Sequence, residues 1–272
     1  MGLIAREALD RGVRSIVLCV GGSATSDGGT GFLAALGVRF LAVDGTQVAA
    51  GGAGLGEIAS LDVSGLHDRA REVIWRLAID VDNPLCGERG AAATFGPQKG
   101  ATSSDVLLLD EGLANLARIL QETTGVGGLT GAGMGAAGGM SVGLVSVLGA
   151  QMERGFTLVA EAVDLATAMD GASVVLTGEG SFDTQSLSGK VVAGVMSFTP
   201  PGCPVIVLAG RVDLSAEETR AAGVAAAFSI ANGPSDREFL FANAAALVRS
   251  TTAQVCGLLA VGSRAPDARP QG

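Results

Sequence analysis

The chain has two lysines against sixteen arginines, and both lysines lie in glycine-punctuated polar loops. Lys99 lies in DNPLCGERGAAATFGPQKGAT, which begins at Asp82, and Lys190 in TGEGSFDTQSLSGK, which begins at Thr177. Arg is a rigid fork, whereas Lys is a compact charge on a flexible stem that can follow a moving phosphoryl group. Lysine confined to two such loops, among Asp, Asn, Gln and Gly, points to phosphate chemistry.

A third loop, GGSATSDGG (Gly21 to Gly29), follows the apolar run SIVLCV and precedes the helical pattern TGFLAALG. The ligands of an α/β fold sit where strands give way to helices. Glycine lets backbone approach a ligand and adopt positive φ. Gly21, Gly22 and Ser23 could hold an anion, and Asp27 could cap the helix or hold a cation. The spacing is not that of a Walker A loop. In DVDNPLCG, Asp80, Asp82 and Asn83 leave a strand together, and the two carboxylates share a face of an extended chain. They are candidates for a general base or a cation ligand beside a substrate hydroxyl, and an Asp-Asn-Pro turn is the plainer reading. In TGEGSFDTQS, Gly178 and Gly180 begin like a dinucleotide fingerprint, but Asp183 stands at the third glycine. Glu179 and Asp183 would repel a bare phosphate, so an anion here is expected to arrive with Mg²⁺. Gln185 and Lys190 could orient and neutralise its oxygens.

The elements around these loops read as strands alternating with helices. Expected helices cover 2–11, 30–37, 104–123 (capped by Ser103 or Ser104) and 140–148, with a last one from about 236 to 259. Leu3, Ile4, Ala8 and Leu9 form the apolar face of the first helix, and Leu107, Leu108, Leu113, Leu116, Ile119 and Leu120 that of the third. Expected strands cover 15–20, buried on both faces, and 38–43, 73–81, 156–160, 173–176, 205–208 and 226–230. The residues between 177 and 186 read as a loop. This is an α/β protein of two domains. Residues 1–155 form a mixed-sheet domain carrying GGSATSDGG and DVDNPLCG. Residues 156–262 form a flavodoxin-like or Rossmann-like parallel portion carrying TGEGSFDTQS. Residues 263–272 read as a disordered tail.

Composition narrows the function. Net charge is −9 with no basic run, which argues against nucleic acid. Four unpatterned cysteines suggest neither disulfides nor zinc, and Cys19 reads as a small core residue. The single histidine, His67, sits in a polar stretch and reads as surface, which disfavours His-dependent nucleophilic catalysis. The N-terminus has no signal-peptide layout. The uncharged stretch 123–152 is long enough to span a bilayer, but its glycines read as a loop before a short buried helix. A cytoplasmic protein is expected, with a homodimer as the candidate assembly.

Taken in order, GGSATSDGG, DVDNPLCG, FGPQKGAT, GAAGGM and TGEGSFDTQSLSGK resemble the bacterial type I glycerate kinase family. The resemblance implies two α/β domains with the active site in the cleft between them. It also implies ATP- and Mg²⁺-dependent phosphorylation of D-glycerate, 2-phosphoglycerate being the favoured product. Residue chemistry then makes Asp80 or Asp82 the base, sets Glu179 and Asp183 near Mg²⁺, and puts Lys190 or Lys99 on phosphate oxygens. The family carries a preceding segment with Asp-Ser-Phe-Lys and Asp-Gly-Gly-Glu-Gly motifs, and neither occurs here. A truncated chain is therefore expected, its parallel sheet incomplete at the N-terminal side. Alone, it is expected to be marginally stable and without measurable activity. A catalytically inactive remnant and a nicotinamide-dependent oxidoreductase are the alternative readings.

Overall fold

A computed structural model describes residues 1–187 and 191–262, and the expected tail at 263–272 lies outside them. The chain divides into two compact units, the first ending at Gly155 and the second starting at Phe156.

In the first unit, helix α1 (Gly2–Asp10) leads into strand β1 (Ser15–Cys19), then α2 (Thr30–Ala35), β2 (Arg39–Leu41), β3 (Ser60–Asp62) and β4 (Ile74–Ala78). Helices α3 (Ala91–Phe95), α4 (Ser103–Thr124) and α5 (Ala136–Leu148) follow, and strand β5 (Gln151–Glu153) closes the unit. The strands form a parallel sheet in the order β1-β4-β5 and an antiparallel β2-β3 pair. The core gathers against Trp75, which is 1% exposed. The Phe32 ring meets the Trp75 ring edge-on at 5.9 Å, and the indole N–H donates to Ala70 O at 2.8 Å, so its polar atom is satisfied where it is buried.

Local chemistry fixes the helix ends. Asp27 lies at the start of α2, where its carboxylate accepts from the Gly29 and Gly31 N–H groups at 3.1 and 3.0 Å. The cap of α4 is Thr102, not Ser103 or Ser104. The Thr102 hydroxyl accepts from Asp105 N–H, and the Asp105 carboxylate accepts from Thr102 N–H. Only Thr102 has an acid three residues on to complete this reciprocal pair. Gly125 ends the helix at φ 74, a conformation glycine adopts without penalty.

Several expectations are corrected. Strand β1 is not buried on both faces: Val17 is 47% exposed and Cys19 is exposed, so Cys19 is not a core residue. The strand lies at the sheet edge, with one face covered. In α1 the buried positions are Gly2, Ala5 and Leu9, while Leu3 and Ile4 are 73% and 74% exposed. Leu107 and Leu108 are likewise exposed, and burial in α4 begins at Gly112. The stretch 123–152 is broken into the end of α4, a loop, α5 and β5. His67 is more than a surface residue. Its ring lies 3.0 Å from Asp10 Oδ1 through Nε2, and Nδ1 accepts from Arg69 N–H, which caps a short turn.

The second unit holds α6 (Gly155–Ala162), α7 (Leu165–Met169), β6 (Val175–Phe182), α8 (Val191–Phe198), β7 (Val205–Val212), α9 (Ala216–Ala221), β8 (Ala226–Ser229), α10 (Arg237–Ala242) and α11 (Ala244–Gly262). Its sheet is parallel, in the order β6-β7-β8. Residues 156–160, expected as a strand, are helical, because a short apolar run does not by itself separate helix from strand. The strand lies just before them, at β5. The expected final helix is two helices divided at Asn243. Among the described residues, α11 is the helix long and apolar enough to cross a membrane by length and composition.

The largest correction falls on the loop expected at 177–186. Strand β6 continues through Gly178, Glu179 and Gly180 to Phe182, paired with β7. A Cβ at Gly178 would lie 2.3 Å from Leu208 O. This glycine lets two strands approach rather than making a turn.

Candidate active site

In the first unit, Cys19 pairs with Ala78, so β1 and β4 end side by side. The chain leaving β1 carries Gly21, Gly22 and Ser23, and the chain leaving β4 carries Asp80. A short turn after α3 brings in Gln98 and Lys99. These residues line a cavity of about 240 Å³ at the carboxyl ends of parallel strands, where such sheets bind ligands. A Cβ at Gly21 or Gly22 would meet nothing within 4 Å. No packing constraint excludes a side chain there, and the backbone faces open space. Gly22 sits at φ 69, which favours glycine on its own account.

Lys99 anchors this loop. Its ammonium donates to Ser23 Oγ at 3.1 Å and to Thr25 O at 2.5 Å. Burial lowers its pKa below the usual lysine value, and the nearby charge of Asp27 opposes that shift. Asp80 is exposed, and its Oδ1 accepts from Gly155 N–H at 2.9 Å. The strand end thus presents an oriented carboxylate near a lysine held on the glycine loop.

The other candidates of this unit have different surroundings. Asp82 pairs with Arg154 at 2.9 Å and does not line the cavity. Asn83 donates to Arg89 O and Thr94 Oγ1, which braces its own loop. Asp27 is 8% exposed, and both its oxygens are taken by backbone N–H groups, so it acts as the cap. Cys86, in the same loop as Asn83, has its thiol pushed up to about 11, first by burial and then by Asp110. It stays protonated at neutral pH and is not a nucleophile.

Sequence reasoning missed Phe95, Gln98 and Ala137 as lining residues. The motifs FGPQKGAT and GAAGGM contained them, but no spacing rule singled them out. Ala137, Gly138 and Gly139 are all left-handed, with φ 52, 70 and 84, before α5 becomes regular. An alanine in that region costs about 1–2 kcal/mol, partly offset by the roughly 0.5–1 kcal/mol that glycine loses in entropy on folding. Ala137→Gly is therefore expected to stabilise the chain by about 0.5–1 kcal/mol, a rise of roughly 1–4 °C in Tm. A calorimetric scan showing a lower Tm would contradict this.

The second unit presents its own candidates. Glu179 and Gly180 line a groove of about 1060 Å³ with Gly178, Arg211, Arg237 and Phe241. The Arg237 guanidinium stacks over the Phe241 ring at 5.3 Å. Glu179 Oε1 is buried and, among the described residues, has no hydrogen-bond partner. Asp183 caps the turn after β6, where its Oδ1 accepts from the Gln185 and Ser186 N–H groups at 2.8 and 3.3 Å. The Gln185 side chain is exposed. Lys190 lies outside the described residues. Among the described residues, no three His, Cys, Asp or Glu side chains cluster as a metal cage. Mg²⁺ does not require one, since it commonly takes one or two carboxylates together with substrate phosphates. The unpartnered oxygen of Glu179 fits that donor set.

A family profile described as "Glycerate kinase family" matches residues 1–260. A glycerate kinase of Bacillus subtilis (strain 168) is 39% identical over 93% of this chain and 67% of its own length. One from Halalkalibacterium halodurans is 42% identical over 84% of this chain and 60% of its own. The glycerate 2-kinase of Escherichia coli (strain K12) is 34% identical over 97% of this chain and 69% of its own. A crystal structure from Salmonella typhimurium LT2, assigned to glycerate kinase 2, superposes with a TM-score of 0.82 at 40% identity, over 97% of this chain and 69% of that one. The chain thus spans 60–69% of the length of these proteins. A profile match across nearly every residue, joined to these identities, places the chain in the glycerate kinase family.

Proposed function

We infer, against the expectation of an inactive truncated chain, that the chain phosphorylates D-glycerate with ATP as donor, and that 2-phosphoglycerate is the product. The observation carrying this reading is the strand-end cavity of the first unit, where Asp80 and Lys99 line one small space with the open backbone of Gly21 and Gly22. The similarity to the glycerate 2-kinase of E. coli supports the choice of hydroxyl.

In this reading the Asp80 carboxylate accepts the proton of the attacking glycerate hydroxyl. The hydroxyl oxygen forms a bond to the γ-phosphorus, the bond to the β,γ-bridging oxygen breaks, and ADP leaves. Catalysis of this kind is largely positioning and charge neutralisation. Lys99 and the Gly21–Ser23 backbone hold anionic oxygens. Glu179 would hold Mg²⁺ through its unpartnered oxygen, with Asp183 and Gln185 close by in sequence and Lys190 assigned to phosphate. Bound Mg²⁺ supplies neutralisation of phosphate charge. Asp82 and Asn83 serve the architecture of their loop. A cytoplasmic location belongs to the same reading, since ATP is the donor. The nicotinamide reading loses ground, because Asp183 stands at the third fingerprint glycine and caps a turn with its carboxylate.

Ligand stabilisation tests this directly. At about 100 times Kd, Mg-ATP is expected to raise stability by roughly 2.7 kcal/mol, and a coupled assay should show glycerate-dependent release of ADP. Stabilisation by NAD with none by Mg-ATP would overturn the reading.

A further inference from the structure

At about 240 Å³, the first unit's cavity is smaller than the roughly 300–1,000 Å³ usual for drug-sized ligands. One short stretch of chain supplies much of its wall. Phe95 is the last residue of α3, and Gln98 and Lys99 lie in the turn that follows. This stretch has little freedom to move. A Cβ at Gly96 would lie 2.4 Å from Ala92 O. The Lys99 and Ala101 N–H groups both donate to Gly96 O, at 2.9 and 3.1 Å. Lys99 in turn is fastened to Ser23 and Thr25. The half-buried Phe95 ring is therefore carried on a braced turn.

The polar groups lining this space are one ammonium, one carboxylate, one amide and one hydroxyl, from Lys99, Asp80, Gln98 and Ser23. They suit a small hydroxy acid, whose carboxylate pairs with Lys99 and whose hydroxyls reach Asp80 and Gln98. Phe95 offers no hydrogen bond. We propose that this cavity is the acceptor subsite and that Phe95 is its length gauge, closing it to hydroxy acids of more than three carbons. The proposal rests on the kinase reading above. A fourth carbon would press its hydroxyl against the ring, where the group loses water and gains no partner. The braced turn cannot swing away to relieve the overlap. Discrimination by one carbon in such a pocket is typically about 10–200-fold.

The test is titration calorimetry with D-glycerate and D-erythronate, the four-carbon analogue, on the parent chain and on Phe95→Ala and Phe95→Leu, with kcat/KM for both acids alongside. The parent is expected to prefer glycerate by at least about tenfold. Both variants should shrink that preference by about tenfold or more, the ratio of erythronate to glycerate affinity rising in each. Phe95→Leu decides the matter if Phe95→Ala fails to fold. A folded variant with an unchanged preference overturns the gauge and leaves the kinase reading standing. Lys99→Met is expected to lose binding of both acids, and full glycerate affinity in that variant would place the acceptor elsewhere. A parent that binds and turns over no glycerate overturns the kinase reading and this proposal together.

Discussion

Asp80→Asn is expected to lower kcat/KM for glycerate phosphorylation by about 10²–10⁴-fold, the usual contribution of a positioned general base. That is roughly 2.7–5.4 kcal/mol of transition-state stabilisation. The amide keeps an oxygen to accept from Gly155 N–H, as Asp80 Oδ1 does at 2.9 Å. The carboxylate's place at the end of β4 is thus preserved while its capacity to take a proton is lost. Asp80 is exposed, so the substitution leaves Tm nearly unchanged, and glycerate affinity should change far less than kcat. Asp82→Asn is the comparison. Two residues on, that carboxylate pairs with Arg154 and does not line the cavity. Exposed pairs of this kind contribute about 0–1 kcal/mol to stability. Near-parental kinetics are expected. A larger loss from Asp82→Asn than from Asp80→Asn would move the base assignment to Asp82.

What separates these two aspartates could not be read from the chain. Their alternation suggested a shared face on an extended segment, but Asp80 lines the cavity and Asp82 does not, and the pairing with β5 ends where Ile79 N–H donates to Glu153 O. Beyond it, partners distant in sequence decide where each carboxylate goes: Gly155 N–H for Asp80 and the Arg154 guanidinium for Asp82. The same limit applies to Lys99. Its setting in a glycine-punctuated loop was legible, whereas its anchorage on Ser23 and Thr25, more than seventy residues earlier, is a product of the fold.

The elements that could be read were those with strong local signals. β1 and β4 lie in short runs rich in apolar residues, and α4 repeats its leucines at helical spacing up to a glycine stop. Where local signals conflicted, packing decided. Gly178 and Gly180 look like loop residues, yet both lie in β6 alongside β7, and at Gly178 the approach of Leu208 O leaves no room for a side chain. Phe156–Ala160 is as apolar as a strand, yet it follows β5 as a helix. Leu3 and Ile4 looked like a core face, yet the face that packs on α2 belongs to Gly2, whose Cβ would lie 2.7 Å from Phe32 O. Apolar periodicity finds a stripe, but steric fit chooses which side of it is buried.

Gly138→Ala is expected to destabilise the chain by about 2–5 kcal/mol. Gly138 adopts φ 70, which costs an alanine about 1–2 kcal/mol. A Cβ there would sit 2.1 Å from Thr25 O and 2.7 Å from Ser26 Cα. Those are backbone atoms, so a loop must move, at a further cost of about 1–3 kcal/mol. Against a typical total stability of about 5–15 kcal/mol the loss is large. It also falls on the site. Gly28 N–H donates to Gly138 O at 3.0 Å, and Thr25 O, the atom the new methyl would strike, is the acceptor that holds Lys99. Displacing Thr25 should free the lysine, so whatever fraction of the variant folds should bind glycerate more weakly than the parent. Gly128→Ala separates the two causes. That glycine is exposed and also left-handed, at φ 78, but its Cβ would meet nothing within 4 Å. It should lose only about 1–2 kcal/mol and keep its glycerate affinity. Denaturant melts and calorimetry on both variants decide the question. Equal small losses, with binding intact in each, would mean that the contact between GAAGGM and GGSATSDGG does not set the geometry of Lys99.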